Sequence, residues 1–161
     1  MKFEHLIEIN DLLNPLMDTI TREQLWRGLV MRAESPKIFV PQVDEVTISD
    51  RSDAGFTRRL RYGELVVLDH VVLAPQQHVR YEVPKQGEIG ASSLVMAIEE
   101  PADDRLFVRF SYDDGRTAAE DKANEMYDDF RRSAYQEADI DTIRILRELA
   151  AAGRLNAGLL N

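Results

Sequence analysis

Between residues 44 and 112 the chain alternates apolar and polar side chains in a series of short runs, and the breaks between them are too brief for any crossover. The runs fall near 45–50, 56–62, 65–73, 77–83, 92–99 and 105–112. Alternation with period two is the pattern of a strand with one face buried. The breaks are Asp53-Ala54-Gly55, Gly63-Glu64, Ala74-Pro75, Pro84 to Gly90, and Pro101 to Asp104. A parallel crossover needs about a dozen residues or more, so strands joined this tightly are antiparallel neighbours. One further strand is predicted at the start. Phe3, His5, Ile7 and Ile9 share one face there, and Lys2, Glu4, Leu6 and Glu8 share the other.

Two tracts have helical spacing instead. Over residues 21–33, Leu25 and Leu29 with Trp26, Val30 and Ala33 form a stripe. Thr21 with Gln24 makes a capping box before it, and Ser35-Pro36 ends it. The second tract follows Asp113-Asp114-Gly115, where Thr117 and Glu120 make another capping box. Ala123, Met126, Tyr127, Phe130 and Ala134 then share one face, while Ile143, Ile145, Leu146 and Leu149 centre on a rotated one. Two readings account for the rotation. A break near Glu137 to Asp141, with Asp139 or Asp141 capping a second segment, is the expected one. The other is an unbroken helix that aims a carboxylate into the interior. In either case a sheet with one apolar face needs a cover, and this helix is long enough to supply it. The predicted architecture is α+β: about seven antiparallel strands curved around a long C-terminal helix, in one domain over residues 1–161. One helix is narrower than so wide a sheet, which leaves room for an internal apolar cavity.

The sequence of 161 residues has 44% hydrophobic and 30% charged residues, an ordinary globular mixture. Its net charge of -9 is the wrong sign for a phosphate-binding surface or an anionic membrane, so nucleic acid is not an expected partner. The longest apolar runs, such as Leu65 to Leu68 and Val71 to Ala74, are far short of a membrane span. The first residues read as a strand and not as a signal peptide. No cysteine is present, which excludes disulfides, thiolate metal sites and a cysteine nucleophile, and suits a cytoplasmic protein.

Local sequence then points to a family. The stretch Thr21-Arg22-Glu23-Gln24-Leu25-Trp26-Arg27-Gly28-Leu29 resembles the first helix of many members of the SRPBCC helix-grip superfamily, which includes START lipid carriers, birch-pollen-type allergens and aromatic polyketide cyclases. The opening Phe3-Glu4-His5-Leu6-Ile7-Glu8-Ile9-Asn10, with Asn14-Pro15-Leu16, resembles more particularly the AtaL-like branch. This resemblance spans nearly the whole chain. It implies the helix-grip fold and a cavity for a hydrophobic ligand. It implies no reaction and carries over no catalytic residues.

Candidate site residues come from the strand phases. If Gly63-Glu64 is a two-residue turn with glycine first, as a type II′ turn prefers, then Tyr62 faces Leu65, Leu60 faces Val67, Arg58 faces Asp69 and Phe56 faces Val71. An Arg58–Asp69 pair then stands among apolar residues, where charges are seldom left unpaired. It is either a structural salt bridge or the polar anchor of a cavity. His5 falls on the apolar face of the first strand, as a cavity acid or base or as a satisfied core residue. Tyr81, Phe110 and Tyr112 fall on the inner strand phase, opposite Met126, Tyr127 and Phe130 on the helix. Most of these are core residues by default, and they line a cavity if one exists.

The histidines His5, His70 and His78 lack metal-ligand spacing, no serine sits in a nucleophile elbow, and Gly87-Glu88-Ile89-Gly90 is not a phosphate loop. No metal and no cofactor are expected. The run Leu94-Val95-Met96-Ala97-Ile98 is apolar on both phases, which packing beneath a loop or a homodimer contact would explain. The leading functional expectation is binding of a small hydrophobic or aromatic molecule in the cavity. A cyclase, dehydratase or isomerase acting on a polyketide-like substrate in the same place is the alternative, and a protein-interaction module with a collapsed interior is the third.

Overall fold

The computed structural model describes residues 1–157. Strand β1 (Lys2–Glu8) is followed by helix α1 (Arg22–Glu34) and a single 3-10 turn at Pro36–Ile38. Six strands come next: β2 (Glu45–Ser52), β3 (Gly55–Tyr62), β4 (Leu65–Ala74), β5 (His78–Val83), β6 (Ser92–Ala102) and β7 (Arg105–Asp113). Helices α2 (Ala118–Ala123) and α3 (Glu125–Ala151) complete the order. All seven strands form one antiparallel sheet in the order β1-β7-β6-β5-β4-β3-β2. The tight connections make β2 to β7 a meander, and β1 closes the far edge against β7. Among the described residues no helix is long and apolar enough to cross a membrane.

The β3–β4 hairpin has the register that its turn demands. Tyr62 pairs with Leu65, Leu60 with Val67, Arg58 with Asp69 and Phe56 with Val71. Gly63 sits at φ +61, the positive value that the first central residue of a type II′ turn requires. Bulges between Ser49 and Ser52 and between Glu99 and Ala102 interrupt the ladders, and bulges bend and twist the strands that carry them. Both predicted capping boxes form, Thr21 with Gln24 and Thr117 with Glu120.

Helix α1 and the C-terminal half of α3 pack on the inner face. Leu25, Leu29, Met96, Leu106, Val108, Phe110 and Leu146 are buried together. Gly28 is what lets the two helices touch: a Cβ there would stand 2.5 Å from Leu146 Cδ1.

The long helix departs from expectation in two ways. It is not broken near Glu137 to Asp141. The interruption lies earlier, at Asn124, and α3 then runs straight through. Nor does the Met126–Tyr127–Phe130 face meet the sheet; these side chains are 78%, 64% and 73% exposed. The Ala123 side chain lies outside the described residues. The inward line is Asp128, Arg131, Tyr135, Asp139, Thr142, Leu146 and Leu149, one continuous stripe at i+3 and i+4 spacing. The expected rotation arose from following apolar residues, whereas the first half of the true stripe is polar. Strand β6 also differs. Leu94, Met96 and Ile98 face inward, while Val95 stands between Arg80 and Ser111, and Ala97 between His78 and Arg109. Polar neighbours on both sides prevent these two residues from forming a continuous apolar strip.

Candidate functional site

A cavity of about 400 Å³ opens between the sheet and the N-terminal half of α3. Its floor is the inner face of β3 to β7, where Leu60, Tyr62, Val67, Tyr81, Val83, Leu94 and Tyr112 project. Pro36, Val40 and Val43 close it on the side that follows α1, and Tyr135 and Arg131 come from α3. Three polar groupings stand on or behind this wall.

The first is the pair Arg58–Asp69. Arg58 Nε donates to Asp69 Oδ1 at 2.9 Å and Nη2 donates to Oδ2 at 2.6 Å. Nη1 donates to the Ala33 carbonyl at 3.0 Å. Both side chains are buried, and the fork geometry uses both carboxylate oxygens. The pair is therefore closed on itself. Its guanidinium also lies over the Tyr81 ring, 4.8 Å from the centroid.

The second grouping centres on Asp139. Tyr112 Oη donates to its two carboxylate oxygens at 2.7 and 2.8 Å, and His5 Nε2 donates to Oδ2 at 2.7 Å. Tyr112 stacks on Tyr135 with centroids 4.0 Å apart, and His5 stacks between Phe3 and Phe110. Burial pushes the Asp139 carboxyl above the ordinary carboxylate value, although its two donors oppose that. Burial, reinforced by the Asp139 charge, drives the Tyr112 hydroxyl far above the ordinary phenol value. The arrangement is a hydrogen-bonded chain from a histidine through a carboxylate to a tyrosine on the cavity wall.

The third grouping marks one end of the cavity. Asp114 accepts from the Met1 amino group and from Arg131 Nη1 at 2.8 Å. Arg116 donates to Asp114 and to the buried Asp128. Burial works against the Asp114 charge, but the amino group, the Arg116 backbone N–H and Arg131 outweigh it. They hold this carboxyl well below its ordinary value. Tyr62, half-buried on the floor, is pushed up by burial. Among the described residues no three His, Asp or Glu side chains gather as a metal-holding group.

Of the predicted site residues, the structure brings Arg58, Asp69, Leu60, Tyr62, Tyr81 and Tyr112 to the cavity wall. It does not bring the others. Phe110 is fully buried in the dry core between Met96 and His5. His5 faces inward but is held by Asp139 behind the wall. Met126, Tyr127 and Phe130 point to solvent, because the polar stripe takes the inward side of the helix. Sequence reasoning missed Arg32, Tyr135 and Arg131. Arg32 had a readable signal, since it stands one turn beyond Leu29 on the core-facing stripe of α1, where a charge is out of place.

A family model described as acetylaranotin biosynthesis cluster protein L matches residues 7–153. No curated protein matches the chain. Several solved structures share the fold. The Zhui aromatase/cyclase from Streptomyces sp. R1128 superposes with a TM-score of 0.62 at 16% identity, covering 98% of this chain and 96% of its own. The di-domain ARO/CYC StfQ from the steffimycin biosynthetic pathway gives 0.65 at 9% identity over 94% of this chain, which spans only 50% of StfQ. Ara h 8.0201 gives 0.58 at 13% identity, over 94% of this chain and 98% of its own. At these identities the likeness is one of fold, the helix-grip arrangement of a curved sheet around a long C-terminal helix.

Proposed function

The chain belongs to the AtaL family, within the SRPBCC helix-grip superfamily, and on that premise we propose that it binds one small hydrophobic or aromatic molecule in the cavity under the N-terminal half of α3. The observation that carries this reading is the open interior itself. A volume of about 400 Å³ falls within the range of ligand sites, roughly 300–1,000 Å³. Its lining of Leu60, Val67, Val83 and Leu94, with tyrosines among them, has the composition of such a site. A collapsed interaction module would have no reason to leave this space, so the volume counts against that alternative.

A second reading has one specific observation in its favour. The chain His5–Asp139–Tyr112 ends on the cavity wall, and hydrogen-bonded chains of this kind serve general acid–base chemistry. A cyclase, dehydratase or isomerase acting on a polyketide-like substrate would use it. The Zhui and StfQ proteins are aromatase/cyclases, which makes this class the natural one to assay.

Native mass spectrometry of gently purified protein tests the binding reading. The expected result is a 1:1 adduct, carried over from the host or formed with a two-ring aromatic probe, that is released on collisional activation. A bare protein mass under both conditions would overturn it. For the second reading, Asp139→Asn should abolish turnover of an identified substrate while its adduct persists.

A further inference from the structure

Three cations besides the Met1 amino group stand on the cavity wall, and they are not equivalent. Arg58 is forked onto Asp69. Arg131 is held by Asp114. Arg32, near the end of α1, makes a single long hydrogen bond, from Nε to Thr142 Oγ1 at 3.4 Å. Among the described residues it makes no ion pair with a carboxylate. Arg32 is partly withdrawn from water, and a guanidinium so placed without an anion is costly.

A second group beside it is also unsatisfied. The Tyr81 hydroxyl is buried and has no hydrogen-bond partner within 3.5 Å among the described residues. Its ring lies beneath both arginines, with Arg58 at 4.8 Å and Arg32 at 5.3 Å from the centroid. An unused buried hydroxyl carries an unrecovered desolvation cost, which a bound acceptor would offset. The two groups are neighbours on one part of the cavity wall: a cation from α1 beside an O–H donor from β5. The cation–π contact with Tyr81 orients the guanidinium without neutralising it.

We propose that Arg32 and the Tyr81 hydroxyl form an anion subsite, so that the ligand of this cavity is an aromatic or polycyclic acid bearing a carboxylate or an equivalent acidic oxygen. The proposal rests on the binding reading above and sharpens it to a ligand class. The carboxylate accepts from the Arg32 fork and from Tyr81 Oη, while its ring system lies on the apolar floor around Leu60 and Leu94. The chain's net charge of -9 repels anions at long range, so selectivity for an acid must come from a local site of this kind.

Titration calorimetry with 2-naphthoate and its uncharged counterpart 2-naphthamide decides the matter. On the intact protein at neutral pH, naphthoate should bind about ten-fold or more tightly than naphthamide, as charge-assisted hydrogen bonds in a sheltered site require. Arg32→Gln should bring the naphthoate-to-naphthamide affinity ratio to within about two-fold of one. Arg32→Lys should retain part of the preference, and Tyr81→Phe should weaken naphthoate alone. Equal binding of the two probes to the unaltered protein would overturn the anion subsite and leave the cavity reading intact, whatever the variants do. Binding of neither probe would overturn both. Retention of the full preference in Arg32→Gln would move the subsite to another cation and overturn its assignment to Arg32.

Discussion

The two halves of α3 lie on the same sheet and do opposite things. From Thr142 to Leu149 the helix packs Ile143, Leu146 and Leu149 into a dry core against α1, where Gly28 removes the last side chain between the helices. From Asp128 to Asp139 the same inward stripe carries Asp128, Arg131, Tyr135 and Asp139, and it stands over a cavity instead of filling it. Meanwhile Met126, Tyr127 and Phe130, the most apolar residues of that half, face solvent. The contrast teaches that one helix can provide stability at one end and a binding space at the other. The cavity end replaces apolar packing with polar groups that pair with Arg116, Asp114, Tyr112 and His5 outside the helix.

The contrast can be broken from either side. The largest effect is expected at the cavity end, from Arg58→Met. It strands Asp69 as a buried, unpaired carboxylate and should cost about 3–5 kcal/mol of unfolding free energy in a denaturant titration. Adding Asp69→Leu should restore most of that loss, because replacing both partners of a buried pair with apolar groups is often neutral. If the single variant is harmless, the pair is not buried as described. At the dry end, Leu146→Ala should cost about 2–5 kcal/mol, set by how far the two helices close the gap, and should leave ligand affinity unchanged.

A smaller effect is expected from the polar end of the cavity, and its sign depends on pH. The folded-state pKa of Asp114 lies below its ordinary 3.8, so the folded protein binds fewer protons there than the unfolded chain. Its contribution is fully present above that ordinary value and is lost as pH falls through 3.8 toward the lower folded value. Asp114→Asn should therefore flatten the acid limb of stability against pH; an unchanged limb would show that the amino group and Arg131 do not hold this carboxylate. The smallest effect is expected from Tyr81→Phe. Because the hydroxyl has no partner among the described residues, its removal should leave thermal stability unchanged or raise it slightly, within about 1 kcal/mol. A loss of more than that would mean the hydroxyl is engaged within the protein and is not available to a ligand.

What could be read from the sequence divides along the same line. The hairpin register followed from one glycine at one turn, because a two-residue loop fixes every pair behind it. That was enough to place Arg58, Leu60, Tyr62 and Asp69 on one inward face. The strand phases likewise put Tyr81 and Tyr112 inside. The failure lay in the long helix, where apolar side chains at helical spacing marked the wrong face. Pattern reading assumes that the buried side is the apolar side, and here it is not. Asp139 is met by His5 and Tyr112, from strands far away in the chain, and Asp128 by Arg116 outside the helix. Partners on other elements leave no trace in the helical periodicity. Arg32 was legible in principle, as a charge on the Leu25–Leu29 stripe. That no carboxylate among the described residues pairs with it emerges only when α1, β5 and α3 are assembled.

The central claim is that the cavity end of α3 is a ligand site and the dry end is not. Mapping backbone amide chemical shifts while titrating 2-naphthoate into isotopically labelled protein tests this most directly. Saturable shifts should cluster on Leu60, Tyr62, Tyr81, Tyr112 and Tyr135, with Leu25, Leu29 and Leu146 silent. Shifts confined to the exposed Met126–Phe130 face, or centred on the Leu29–Leu146 core, would contradict it.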